Sequence, residues 1–473
     1  MDSRVQAAAY RGVTIDSVPA SDTITGPSGG PTTRDGYAVS CFPGSAYCTF
    51  FRPGPEVDGA PATLAADLSV WGLGVPGLAF HAKARAGTTL GDPWPGTEPA
   101  LQLLEGYAQY AMQRFTVQLG RQTVASRLGF TGFDGGAVTF RGANQRLEVR
   151  AYGGWGLWRG SVLPVTSPAL NPLNEFRPPE RTLVAGGGAG WTSPRFDLTV
   201  LYQREVDPSV DYFASELAAV TAVVRVVPGV QVSGGADYNL AEGLWGSAEG
   251  TLAYAARNGR INASATVRRY RPRFDLWTIW GAFSPVPYTA VDGSFAVTPV
   301  RPLLLRATGE YYTFANTETS TPLVNVESQG WRFSWDATYT PTPLIMVQGG
   351  YRADFGPGAS SRGFDGSATY MVGERLAVGV QGSTLDRPLE LRFDESSVVT
   401  YGVSARYRPA PRLRIELDAN QYVEDRKRPD AAAFDWDQLR VSARVVFSLA
   451  SHDELRGLPP AVRQMPAAPR SAP

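Results

Sequence analysis

Histidine, lysine and cysteine are almost missing from this chain. Of 473 residues only two are histidine, at positions 81 and 452, so a Ser-His-acid triad would have to recruit one of those two. Lysine occurs only at 83 and 427, which leaves the basic charge to arginine and fits GC-rich coding beside abundant Ala, Gly and Pro. The two cysteines, Cys41 and Cys48, flank a Pro-Gly turn in "CFPGSAYC". That spacing suits a small disulfide-closed loop in an oxidising compartment, with two free thiols as the other reading. Net charge is absent too. Forty-four basic residues face 44 acidic ones, which gives no global field toward nucleic acid. No run approaches the roughly 18 consecutive apolar residues of a membrane-spanning helix, and the mean hydropathy is -0.16. No charged and apolar leader regions precede residue 10, although "VQAAA" (5–9) resembles the small-residue end of a signal peptide.

Turn and strand formers fill the space these absences leave. Glycine (51), proline (37) and 11% aromatics describe an all-β chain with many turns. In "GVQVSGGADYNL" (229–240) apolar or small residues alternate with mostly polar ones, the mark of a strand with two unlike faces. From about residue 63 to 449 the pattern recurs in segments of roughly 9–13 residues. In "WRFSWDATY" (331–339), Trp331, Phe333, Trp335 and Tyr339 oppose Arg332, Ser334, Asp336 and Thr338. In "LRIELDAN" (413–420), Leu413, Ile415 and Leu417 oppose Arg414, Glu416 and Asp418. Connections alternate between tight turns, such as "PG" (228–229), "NG" (258–259) and "GER" (373–375), and longer loops such as 87–99, 123–135, 158–180 and 356–364.

Short turns on one rim and long loops on the other describe a transmembrane up-and-down antiparallel β-barrel, with short periplasmic turns and long extracellular loops. The segments amount to about 22 strands, within a range of 18–22 (the size of the larger transporter barrels). About 21 of these fall between 63 and 449, with one more near Tyr47–Arg52. Ten residues at about 3.3 Å, tilted about 40°, rise roughly 25 Å, the height of a lipid-facing band, whereas soluble strands average only five or six residues. Aromatics gather near strand ends, among them Tyr110, Phe115, Trp191, Phe196, Tyr339 and Tyr407, as interfacial girdles require. The basic residues that share parity with the apolar face, Arg121, Arg204 and Arg269, all lie at strand ends, where the cost of facing lipid falls toward zero.

The stretch "VQLGRQTVASRLGFTGFDGGAVTF" (117–140), with Gly120, Arg121 and Gln122 leading through a loop to Phe133, Asp134 and Gly135, resembles bacterial outer-membrane porins, particularly the alginate-export-like group. The motif spans about two dozen residues and a second "GFDG" stands at 363–366. One departure is that Phe447 is followed by an Ala/Pro-rich tail rather than ending the chain.

These readings predict three parts. Residues 1–62 form an N-terminal segment holding a signal remnant, the disulfide loop, a partial plug (1–46, packed with the 158–180 loop) and a first strand. Residues 63–449 form the barrel, and 450–473 a disordered periplasmic tail. The charged residues expected to line the pore are Lys83, Arg85, Glu105, Arg150, Asp237, Arg268, Arg306, Arg332, Asp336, Arg352, Arg406, Arg414, Glu416, Arg440 and Arg444. They serve either as charge rings that bias permeation or as cross-strand ion pairs that stiffen the wall. "AGGGAG" (185–190) has no helix after it and reads as close-packing wall rather than a nucleotide loop. "FDGG" and "VDGS" lack the further carboxylates of a calcium loop, and no cofactor, metal or catalytic group is expected. The function implied is an outer-membrane channel for passive diffusion of small hydrophilic solutes, anionic ones among them. A closed barrel acting as a scaffold or assembly partner is the alternative. Expected partners are the lipid bilayer with lipopolysaccharide, the barrel assembly machinery and the solutes themselves, with no nucleic acid.

Overall fold

Alternation resolves into pairing. The computed structural model describes residues 1–26, 29–92, 101–159, 182–206, 208, 213–271, 287–315, 329–356, 359–387, 396–426 and 435–449. The chain runs out along β1 (Asp2–Pro19), passes three short pieces, β2 (Ile24–Thr25), β3 (Pro31–Thr32) and β4 (Val39–Cys41), and returns along β5 (Tyr47–Trp71). It then meanders through β6 (Leu78–Gly91), β7 (Leu101–Ala111), β8 (Phe115–Ser126), β9 (Gly129–Gly142), β10 (Leu147–Arg159), β11 (Leu183–Thr192) and β12 (Phe196–Val206). The second arc comprises β13 (Phe213–Val227), β14 (Val230–Asn239), β15 (Leu244–Ala255), β16 (Ile261–Tyr270), β17 (Tyr288–Val300), β18 (Leu303–Phe314) and β19 (Gln329–Thr342). The last is β20 (Ile345–Gly356), β21 (Ala359–Val372), β22 (Leu376–Arg387), β23 (Ser396–Ala410), β24 (Leu413–Arg426) and β25 (Trp436–Phe447).

From β5 onward every strand pairs antiparallel with the next, and β1 pairs with both β5 and β25. The result is a closed barrel of 22 strands. Closure satisfies backbone amides around the whole circumference, the condition for crossing a bilayer without helices. Both ends of the barrel chain lie on the short-turn rim, where the Met1 backbone nitrogen donates to the Phe447 carbonyl at 2.8 Å.

The sequence expectation needs correcting at the N-terminal segment. Residues 2–7 run in register with 446–441 of β25, and 2–19 with 65–47 of β5. Residues 2–7 are wall, not plug, and Val5–Ala9 lies inside this strand. The strand expected near Tyr47–Arg52 is the outer half of β5, and the strand that makes the count even is β1. Pairing with β25 stops at Ala7, and pairing of β5 with β6 begins only at Gly59. Residues 12–19 and 47–55 stand beyond the long-loop rim as a two-stranded ribbon, while Arg11 at its base still reaches the start of β25, donating to the Asp435 carbonyl at 2.8 Å and lying 5.0 Å over the Trp436 ring. At the ribbon's tip Cys41 and Cys48 sit opposite each other in register and are disulfide-bonded. Two segments expected as long loops are mostly strand. Residues 123–135 form the β8–β9 hairpin around Arg127 and Leu128, and 359–364 belong to β21. The 158–180 loop falls almost wholly, and the 450–473 tail entirely, outside the described residues.

One face of the wall is oily and open. Val232, Leu252, Trp335 and Leu417 expose two-fifths or more of their surface, as side chains that meet lipid do in a bare barrel. On the other face Asp237 is 2% exposed and Asn239 8%.

Candidate functional site: the lumen and its inward hairpin

The wall is built so that one hairpin leaves it. β7 and β8 pair only as far as Gly106 and Arg121; beyond that, residues 122–126 of β8 have only β9 beside them. At the splay Gly120 has φ +130°, a left-handed-side conformation that favours glycine. A Cβ there would run into the Gly106 carbonyl oxygen. Opposite it, a Cβ on Gly135 would strike the backbone of Gly153 and Gly154, so the bend requires glycine on both strands. Arg121 closes the gap. Its Nε and Nη2 donate to the Asp134 carboxylate at 2.7 and 3.0 Å, and its Nη1 donates to the Leu103 carbonyl at 2.9 Å. This arginine shares the outer face with Asp134 and the half-exposed Trp155, which follow one another in register. Its neighbours Gln122 and Phe133 point the other way and are buried, and Phe133 stacks on Tyr152 at 5.4 Å. The Gly-Arg-Gln and Phe-Asp-Gly residues of the sequence motif are thus the root of the hairpin.

The tip lies against the inner wall of β12–β15, several strands around the barrel. Leu128 covers Leu217, Ala219 and Leu201, apolar residues on the otherwise polar inner face. The Arg127 guanidinium donates to Glu249 Oε1 at 2.7 Å, to Ser247 Oγ at 3.0 Å and to the Gly235 carbonyl at 3.1 Å. Its Nε stands 3.9 Å from Asp237 Oδ1, which also accepts from the Ser247 amide at 3.0 Å. Further down the hairpin, Gln203 Oε1 accepts from Thr131 Oγ1 at 3.1 Å and from Tyr152 Oη at 2.8 Å. A buried leucine contributes roughly 1.5–3 kcal/mol and each charge-assisted bond roughly 1.5–3 kcal/mol, enough together to hold the tip inward.

The residues expected to line the pore fall into several settings. On β16–β20, Arg268 and Arg332 share Glu310, the latter at 2.9 Å, and Arg332 also donates to Asp354 at 2.8 Å while lying 4.3 Å over the Tyr312 ring. Arg352 pairs with Asp365 at 3.0 Å. On β23–β25 and β1, Arg406 and Arg414 each reach Glu416 at 3.1 Å, and Arg444 reaches it at 3.3 Å while donating to Asp2 at 2.9 Å. Glu105 accepts from Thr123 Oγ1 and meets His81 Nε2 at 3.2 Å. Lys83 sits opposite Glu105 in register. Arg440 lies 4.4 Å over the Tyr422 ring and Arg150 5.9 Å over Tyr152. Arg306 and Asp336 are register partners yet form no ion pair among the described residues. Arg306 lines a cavity of about 1130 Å³ at the short-turn end of the wall, together with Gln231, Asn262, Ser264, Ser294 and Thr308. Arg85 stands on β6 in register with Gln102.

Sequence reasoning missed Arg127, Leu128, Phe133 and Tyr152 as lumen groups. The available signal was Leu201, Leu217 and Ala219 at inward parity, an oily patch that something had to cover.

No family model matches the chain, and no curated protein matches it. Solved structures do. A variant of the ferric enterobactin receptor PfeA from Pseudomonas aeruginosa, in complex with enterobactin, shares 10% identity over 95% of this chain and 81% of that one, with a TM-score of 0.53. Another variant of the same receptor gives 11%, 95%, 80% and 0.52. Pseudomonas aeruginosa OpdK with vanillate shares 10% identity over 94% of this chain and 98% of its own, with a TM-score of 0.38. At such identities the receptor likeness establishes the fold: a large outer-membrane barrel. The closed wall with its oily exterior places the chain in a bacterial outer membrane.

Proposed function

We propose that the barrel is a porin-like channel for passive diffusion of small hydrophilic solutes, with a preference for anions, narrowed by the 122–133 hairpin. The observation that carries the anionic preference is the seam where the wall closes. There Arg406, Arg414 and Arg444 share two carboxylates, Glu416 and Asp2, so the cluster keeps a surplus positive charge. The cross-strand pairs of Arg332 and Arg352, by contrast, act chiefly as wall stiffeners. Kinship with the alginate-export-like group, read from the hairpin root, belongs to this proposal, as do lipopolysaccharide and the assembly machinery as partners. The projecting ribbon, which exposes Ile15 and Phe51 side by side, favours the second reading, a scaffold.

Liposome swelling separates the two. A channel swells proteoliposomes with small sugars and admits a carboxylated solute faster than an uncharged one of equal size, and R406Q/R414Q removes that difference. Folded barrel that swells vesicles with no solute supports the scaffold instead.

A further inference from the structure

Arginine is used in two ways here. Inside the wall most arginines pair with carboxylates; in the tight turns of the short-turn rim none does among the described residues. Seven of the ten tight turns carry arginine. Arg114, Arg146 and Arg195 stand in the turns after β7, β9 and β11, and Arg257 and Arg260 together in the turn after β15. Arg301, Arg375 and Arg412 complete the ring after β17, β21 and β23. The only acidic residue in these turns is Glu374. All eight arginines are exposed, and none forms an ion pair among the described residues. The opposite rim has the reverse balance: its described connections hold Asp22, Asp35, Asp92, Glu242 and Asp435 against Arg34, Arg127 and Arg271.

A second observation fixes the depth of this ring. Half-exposed aromatics stand just inside it on the outer face. Phe115 follows Arg114 and Phe196 follows Arg195, Tyr254 precedes Arg257 by three residues, and Tyr370 and Tyr407 precede Arg375 and Arg412 by five. Aromatics of this kind sit at the headgroup boundary, so guanidinium groups one turn further out lie level with lipid phosphates. Arginine binds phosphate with a planar set of donors. We propose that the short-turn rim is a collar for anionic phospholipid, phosphatidylglycerol or cardiolipin, of the periplasmic leaflet. It anchors the barrel's depth and orientation independently of what passes through the lumen.

The test uses the detergent-folded full chain titrated with phosphatidylglycerol or phosphatidylcholine of identical acyl chains, with retained lipid counted by native mass spectrometry. The wild type should retain phosphatidylglycerol about tenfold over phosphatidylcholine at low salt, with the preference shrinking as salt rises. R257Q/R260Q/R301Q/R375Q should lose most of it while still migrating as a folded barrel, and R34Q/R52Q on the far side should keep it. If the fourfold variant does not fold, R257Q and R301Q alone should each lower the ratio about twofold. Equal retention of both lipids by the wild type, an undiminished ratio in the rim variants, or full displacement of the lipid by equimolar inorganic phosphate overturns the proposal.

Discussion

Arg121 and Arg127 lie six residues apart in one hairpin and serve opposite faces. Arg121 faces outward and is tolerable there because Asp134 takes two of its donors; Arg127 crosses the lumen to Glu249. The two side chains at the root are 26% and 31% exposed, so the pair is worth less than a buried one. R121A should lower stability to urea in vesicles by about 2 kcal/mol, and D134A in the R121A background by clearly less than D134A alone. Additive losses would mean that the pair does not hold the root. Inward or outward direction was readable from parity for residues such as Arg332 and Glu416. Which carboxylate each arginine meets was not, because partner choice depends on strand register, and register depends on turn lengths that alternation does not encode. Arg332 lies between Glu310 and Asp354 only because β18, β19 and β20 align as they do.

Strand existence was legible wherever large apolar residues alternate with charged ones, as in β19 and β24. It was not legible in β1, where "VQAAA" offers small side chains on both faces and no contrast for a period to show. The β8–β9 tip was obscured for another reason: Gly129, Gly132 and the charges at its root are the composition of a loop, and tertiary docking makes it a hairpin. The two readings of the N-terminal segment predict different behaviour. A plug can be removed from an intact barrel, whereas removing a wall strand leaves β5 and β25 with open edges, an unstable and aggregation-prone state. Deleting residues 1–19 should abolish the compact, heat-modifiable form on cold SDS gels. A folded and conducting truncated barrel would contradict the pairing of β1 with β25.

At the scale of the whole molecule, the 22-strand wall encloses more space than its own side chains can fill. Among the described residues the principal group reaching across it is the hairpin tip. The molecule is also polarised along its axis, with a basic rim of turns at one end and a disulfide-tipped ribbon and acidic connections at the other. Length of strands and alternation of connections made the architecture legible; the filling of the lumen was not, since it depends on contacts between residues more than a hundred positions apart, such as Arg127 and Glu249. The most direct test of a water path narrowed by that hairpin is single-channel recording in planar bilayers, comparing wild type with R127A/L128A. The account predicts discrete ohmic steps for the wild type and larger, noisier steps for the variant, whose tip is released from β12–β15. Folded wild-type protein that inserts without conducting, or steps of the same size in both proteins, would contradict it.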